Sequence, residues 1–198
     1  MNCILPVKGE KSRRLNRVKA LAGFRGKTLL ELALRRAENI FGKIYLVTTV
    51  PGMFRHYENE RVVILEDNFK CGPMGGIYAG LKESDTCYNF VLAVDNIFVS
   101  GDMILYMMSR RKNYDVLVPK SADGPQPLVG IYSKNIIKTL ERRMGNKDYS
   151  LRGIFDEVDA AYIEESEISR FGAPERLFFN INTAADLERS MLLREESY

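Results

Sequence analysis

A chain of 198 residues has room for one substantial hydrophobic core and little surplus for another, so a single domain over 1–198 is expected. With 45% hydrophobic residues, 28% charged residues and a formal net charge of +3, the composition excludes a disordered chain and gives no ground for a nucleic-acid or membrane partner. Three widely spaced cysteines, Cys3, Cys71 and Cys87, beside a lone histidine, His56, exclude a disulfide framework and a zinc site, and a cytoplasmic, reduced setting is expected.

The first apolar run, Cys3-Ile4-Leu5-Pro6-Val7, is too short for a signal-peptide core and is expected as a strand at 3–7. Segment 8–19, basic and glycine-containing, fits neither the helical nor the strand period. Next, Leu29, Leu32, Ala33, Arg36, Ala37 and Ile40 fall at helical spacing, with Arg35 and Glu38 on the opposite side. Strands are then expected at 43–49 and 61–65, a helix at 75–82, a strand at 88–94 and a helix at 101–111. Strands at 116–119 and 128–132 lead to helices at 134–144 and 151–158, and a strand at 160–163 follows. The last helix, 183–193, is opened by Thr183 with Asp186 three residues on, which is a capping pattern. Several strands are apolar throughout, as parallel strands buried on both faces are. The alternation predicts an α/β fold: a three-layer α/β/α sandwich on a mainly parallel, Rossmann-like sheet.

Four constellations carry candidate chemistry. The segment Lys8-Gly9-Glu10-Lys11-Ser12-Arg13-Arg14-Leu15-Asn16-Arg17-Val18-Lys19 holds six cations directly after the first strand. In an open parallel sheet, ligands bind where loops leave the carboxyl ends of the strands, so this loop offers backbone N–H groups and positive charge to a polyphosphate. A solvated basic loop is the plain alternative. The second, Cys71-Gly72-Pro73-Met74-Gly75-Gly76, stands at the mouth of a helix, where glycines admit a ligand close to the backbone; on its own it could be only a tight turn. Asp95 is the third, a carboxylate where a buried strand exits; packing explains it poorly, and a Mg²⁺ ligand is the better reading. Asp67 has a similar position. In the fourth, Phe179-Asn180-Ile181-Asn182-Thr183, both amides point to one face of an extended segment and together suit a metal, a phosphate or a substrate. Outside these, His56 reads as a surface residue and Met103, Met107 and Met108 as core.

Taken together, these residues resemble the molybdenum cofactor guanylyltransferase family (molybdopterin-guanine dinucleotide biosynthesis protein A-like), within the nucleotidyltransferase superfamily. Gly9, Ser12, Arg13 and Lys19 resemble its glycine-rich signature, and Gly26-Lys27-Thr28-Leu29 its Gly-Lys-Pro-Leu. Glu66-Asp67, Gly72-Pro73-Met74-Gly75-Gly76, Asp95, Gln126-Pro127-Leu128 and the Asn180-Ile181-Asn182-Thr183 segment match further portions. The opening loop departs from the pattern: Lys8 replaces the first glycine, Leu15-Asn16 a Met-Gly pair and Val18 an aspartate. Pro6-Val7-Lys8 is more similar to the start of acylneuraminate cytidylyltransferases.

The resemblance implies a nucleotide-diphospho-sugar transferase type of fold and transfer of GMP from GTP to the phosphate of molybdopterin. Lys19, Arg13 and Asp95 would be catalytic, with Mg²⁺ on Asp95. Leu5, Pro6, Val7, Gly9, Ser12, Lys19, Asp67, Gly72, Gly75 and Gly76 would bind the nucleotide, and Asn180 and Asn182 the acceptor. The partners would be GTP or another NTP and a phosphorylated small molecule such as molybdopterin, and the protein a monomer or weak homo-oligomer. Cytidyl or guanylyl transfer to a sugar acid or phospho-acid, and a regulatory homologue without activity, stay open as alternatives.

Overall fold

The computed structural model describes residues 1–12 and 14–192, Ser12 by its backbone alone. Its strands in chain order are β1 (Asn2–Val7), β2 (Lys11–Ser12), β3 (Arg17–Val18), β4 (Gly23–Phe24), β5 (Lys27–Thr28), β6 (Ile44–Thr48), β7 (Val62–Glu66), β8 (Tyr88–Leu92), β9 (Val116–Ser121), β10 (Gly124–Pro125), β11 (Val129–Ser133) and β12 (Ala160–Ile163). Helices are α1 (Leu29–Glu38), α2 (Pro51–Phe54), α3 (Pro73–Glu83), α4 (Gly101–Arg110), α5 (Ile137–Gly145), α6 (Leu151–Ile154), α7 (Glu165–Ile168), α8 (Pro174–Leu177) and α9 (Ala184–Leu192). Eight strands form one sheet in the order β10-β9-β11-β8-β1-β6-β7, with β12 also paired to β9; β2–β3 and β4–β5 are separate two-stranded ribbons.

Period-two alternation in the central strands feeds two cores. Cys3, Leu5 and Val7 of β1, Ile44 and Leu46 of β6, and Phe90 and Leu92 of β8 face one layer, packed with Leu30, Ala33 and Ala37 of α1 and Met103 and Met107 of α4. Ile4, Tyr45 and Val91 face the other, against Met74, Ile77 and Leu81 of α3 and Leu140 of α5. Both faces are therefore covered and the three-layer α/β/α expectation holds. The sheet is mainly parallel: β1 runs parallel to both β6 and β8, and β6 to β7.

Strand β11 departs, running antiparallel to β8 and β9. Its connection from β9 is a tight turn through β10 with no crossover helix, and only an antiparallel return is open to so short a link. The expected helix at 151–158 stops at Ile154. There the buried Arg143 guanidinium takes the Gly153 carbonyl at 3.2 Å and pairs with Glu157 and Asp148, each at 2.6 Å, which holds a turn where a helix would continue. Segment 8–19, expected to be irregular, contains the ribbon β2–β3. The expected end of the last helix at residue 193 lies outside the described residues. Among the described residues, no helix is long and apolar enough to cross a membrane.

Helix α3 lies directly on β1. A Cβ at Gly80 would come within 2.7 Å of Ile4 Cγ2, and one at Gly76 within 2.8 Å of Pro6 Cβ. The crossing brings the α3 amino terminus beside the end of β1. A proline ring cannot rotate away, so Gly76→Ala should lift the helix. Its overpacking cost exceeds the helix-propensity gain by about 1 kcal/mol, which a lower urea midpoint at unchanged m-value would register.

Candidate active site

Past Val7, the chain turns through Gly9, whose backbone sits so close to Val50 that an added Cβ would lie 1.7 Å from Val50 Cγ2. The ribbon β2–β3 turns through Asn16 at φ +51°, a left-handed conformation that asparagine tolerates better than most residues. Val18 and Ala20 then point inward, and Lys19 between them keeps 24% of its side chain exposed. Its ammonium group forms an ion pair with Asp95 Oδ2 and donates a 2.9 Å hydrogen bond to Asn182 Oδ1.

Asp95 is delivered by a turn that begins where β8 ends. The Ala93 N–H binds the Leu128 carbonyl at 2.9 Å and the Asn96 N–H the Ala93 carbonyl at 3.2 Å, so the expected strand at 88–94 stops at Leu92. From α1, Arg36 donates to the carbonyls of Asn96 (3.1 Å) and Ile97 (2.5 Å). Those bonds fasten the turn while leaving the Asp95 carboxylate to Lys19. A Thr28–Glu31 capping box starts α1, with Thr28 Oγ1 accepting from the Glu31 N–H at 3.1 Å and the Glu31 carboxylate from the Thr28 N–H at 2.6 Å.

The third arm is the irregular segment before α9, where Ile181 is fully buried and Asn180 and Asn182 are exposed on either side of it. Asp186 accepts from the backbone N–H groups of Asn182 (3.0 Å) and Thr183 (2.9 Å), and Thr183 Oγ1 accepts from the Asp186 N–H (3.0 Å). Hydrogen bonds from the Thr183 side chain and the Asn182 backbone hold the Asp186 carboxyl below its ordinary value.

A cleft of about 170 Å³ opens at the ends of β1, β6 and β7, lined among others by Pro6, Val7, Lys8, Asp67, Lys70, Gly72, Gly76 and Leu128. Asp67, nearly buried, accepts from the N–H groups of Phe69 (3.0 Å) and Lys70 (3.2 Å), and its carboxylate fills the space that a Cβ at Gly75 would need. Gly72 adopts φ +64° and ψ −144°, a conformation reserved almost wholly to glycine, and introduces Pro73 as the first residue of α3.

The structure thus brings Lys19, Asp95 and Asn182 into contact, and it gathers Pro6, Val7, Asp67, Gly72 and Gly76 around one cleft. Leu5 belongs to the core by its side chain, so only its backbone can serve a ligand. Gly9 and Gly75 act by absence, one beneath Val50 and the other against Asp67. Arg13 lies outside the described residues, as does the Ser12 side chain. Sequence reasoning missed Arg36 as the clasp on the Asp95 turn; its signal was a cation inside an apolar helical stripe. Lys70, at φ +53° in the cleft wall, gave none.

The model of the MobA-like NTP transferase domain matches residues 8–161. A molybdenum cofactor guanylyltransferase of Syntrophotalea carbinolica is 28% identical over 183 residues, covering 91% of this chain and 86% of that protein. One of Methanosarcina mazei, described as a "probable molybdenum cofactor guanylyltransferase", is 31% identical over 196 residues, covering 91% and 85%. Molybdopterin-guanine dinucleotide biosynthesis protein A from Archaeoglobus fulgidus has the same fold, with a TM-score of 0.82 at 23% identity over 97% of each chain.

The Asp186 cap has a pH signature. A carboxylate whose folded-state value is depressed contributes stability above its unfolded value and loses it as pH falls through the folded one. Asp186→Asn should therefore melt below wild type at neutral pH, and the gap should close as acid carries the wild-type carboxyl through its lowered value. Melting temperatures of both proteins across that range check this.

Proposed function

We propose an activity from the premise that this chain belongs to the MobA-like NTP transferase domain family: it transfers GMP from GTP to the phosphate of molybdopterin and releases pyrophosphate. The observation that carries the reading is the meeting of Lys19, Asp95 and Asn182 at the carboxyl edge of the parallel strands, beside the cleft at the mouth of α3. The reaction joins two anions, so the protein must chiefly position them and offset charge. An acceptor phosphate oxygen attacks the α-phosphorus in line; the new P–O bond forms as the bond to the β-phosphate bridge breaks.

The nucleotide's base and ribose lie in the cleft, against Pro6, Val7 and the Gly72–Gly76 turn, with Asp67 as an acceptor for their donors. Lys19, and Arg13 with it, hold the triphosphate. Asn182 keeps the Lys19 ammonium aimed at the phosphates through its amide oxygen, and Asn180 and Asn182 face the acceptor. Asp95 suits a hard cation: it is an oxygen donor at a strand exit, and Mg²⁺ is commonly held by one or two carboxylates with substrate phosphates and water completing its shell. When bound there, Mg²⁺ would supply neutralisation of the phosphate charge. This reading carries with it a cytoplasmic enzyme working as a monomer or weak homo-oligomer.

A thermal-shift panel of GTP, CTP, ATP and UTP with Mg²⁺ should raise the melting temperature most with GTP; a larger shift with CTP would transfer the reading to a cytidylyltransferase. In a pyrophosphate-release assay with GTP and molybdopterin, Asp95→Ala should lose roughly 100-fold or more in turnover while staying folded. Full activity of that variant would remove Asp95 from the chemistry. Lys19→Ala should weaken GTP binding roughly tenfold or more by calorimetry, and an unchanged affinity would dispose of the phosphate clamp.

A further inference from the structure

The three segments that bring Lys19, Asp95 and Asn182 together also share a small apolar cluster, distinct from the cores on the two sheet faces. Ala22, Phe24, Leu29, Ile97, Phe98 and Ile181 are buried in it, with Phe179 and Leu187 packed against them. Phe98 is the hub. Its ring meets Phe24 at 6.5 Å between centroids with an interplanar angle of 88°, and Phe179 at 6.4 Å with 68°, both edge-to-face arrangements. Each of the three rings stands a short way along the chain from a polar group of the site: Phe24 from Lys19, Phe98 from Asp95, Phe179 from Asn182. Guanidinium groups lie over all three, Arg25 on Phe24 (5.3 Å), Arg176 on Phe98 (5.5 Å) and Arg189 on Phe179 (5.7 Å).

The segments need such a tie. Lys19 follows the ribbon β2–β3 and precedes β4–β5, each with strands of two residues, and ribbons of that size do not hold themselves. Asn182 sits in irregular chain outside the sheet. We infer that Phe98 is a positioning residue: through Phe24 and Phe179 it fixes the mutual placement of Lys19, Asp95 and Asn182. The inference rests on the reading of that trio as the transfer site. It assigns the rings a role in geometry rather than in contact with substrate. Removing the hub ring leaves the base cleft, built from other elements, in place, but displaces the Lys19 clamp and the Asp95 turn together.

The test compares Phe98→Ala and Phe98→Leu with Phe155→Ala, a packing control of similar burial whose ring meets Tyr162 in the core of the other sheet face. The first readout needs no substrate: the Lys19 ammonium resonance of ¹⁵N-labelled protein, assigned by its loss in Lys19→Ala. It should change in Phe98→Ala, return toward wild type in Phe98→Leu and stay unaltered in Phe155→Ala. In the transfer assay, Phe98→Ala should lower kcat roughly 10- to 100-fold and raise KM for GTP in step with the displaced Lys19 clamp, and Phe155→Ala should lower the melting temperature alone. A Lys19 resonance identical in Phe98→Ala and wild type overturns the positioning role, as does an equal kcat loss in Phe155→Ala. An inactive wild type would count against the transfer reading alone, because the resonance is read without it. If Phe98→Ala does not fold, Phe24→Leu and Phe179→Leu carry the same comparison.

Discussion

Strand β1 is hydrogen-bonded in parallel on both of its edges, and that constraint organises the rest of the molecule. Parallel pairing with β6 and β8 sends the carboxyl ends of three strands to one edge, so the basic loop, the Val50 turn and the Asp95 turn cannot avoid one another. Burial on both faces requires residues 3–7 to be apolar throughout, which defers chemistry to the loop beyond them. The close crossing of α3 at Gly76 and Gly80 completes the arrangement, bringing a helix amino terminus up beside that loop.

The central sheet was legible because its signals are strong and local. Runs such as 43–49 and 88–94 are apolar on both faces, and the helix from Leu29 announces itself by spacing and by Thr28. Meeting of Lys19 and Asp95 followed from topology, as both leave strands at the same edge. Less could be read where the cause is not periodic. Ribbons of two-residue strands leave no period to detect, and the direction of β11 is set by the length of a turn rather than by its residues. The contact between Lys19 and Asn182 spans most of the chain and depends on where α9 docks. Pattern set Arg36 inside an apolar helical stripe but gave no sign of its partners, which are backbone carbonyls of a distant turn.

The departures of the opening loop from the family pattern take on local reasons in the structure. Asn16 occupies a left-handed position, where a glycine-like residue is wanted and asparagine serves. Val18 is buried and joins the main core, anchoring the ribbon immediately before Lys19. Lys8 stands on the cleft wall, where it adds charge without blocking the space that the neighbouring proline and valine define. With these residues in place Lys19 still reaches Asp95, and Lys8 adds positive charge at the cleft mouth.

Asp186 ties the start of α9 to the backbone of Asn182, so the third arm of the trio is supplied by the last helix described. A chain emerging from the ribosome therefore carries its sheet and its Asp95 turn well before it can complete the trio. Competence waits on the last-made of the three arms, because no Lys19–Asn182 contact can form until residues 182–186 have emerged.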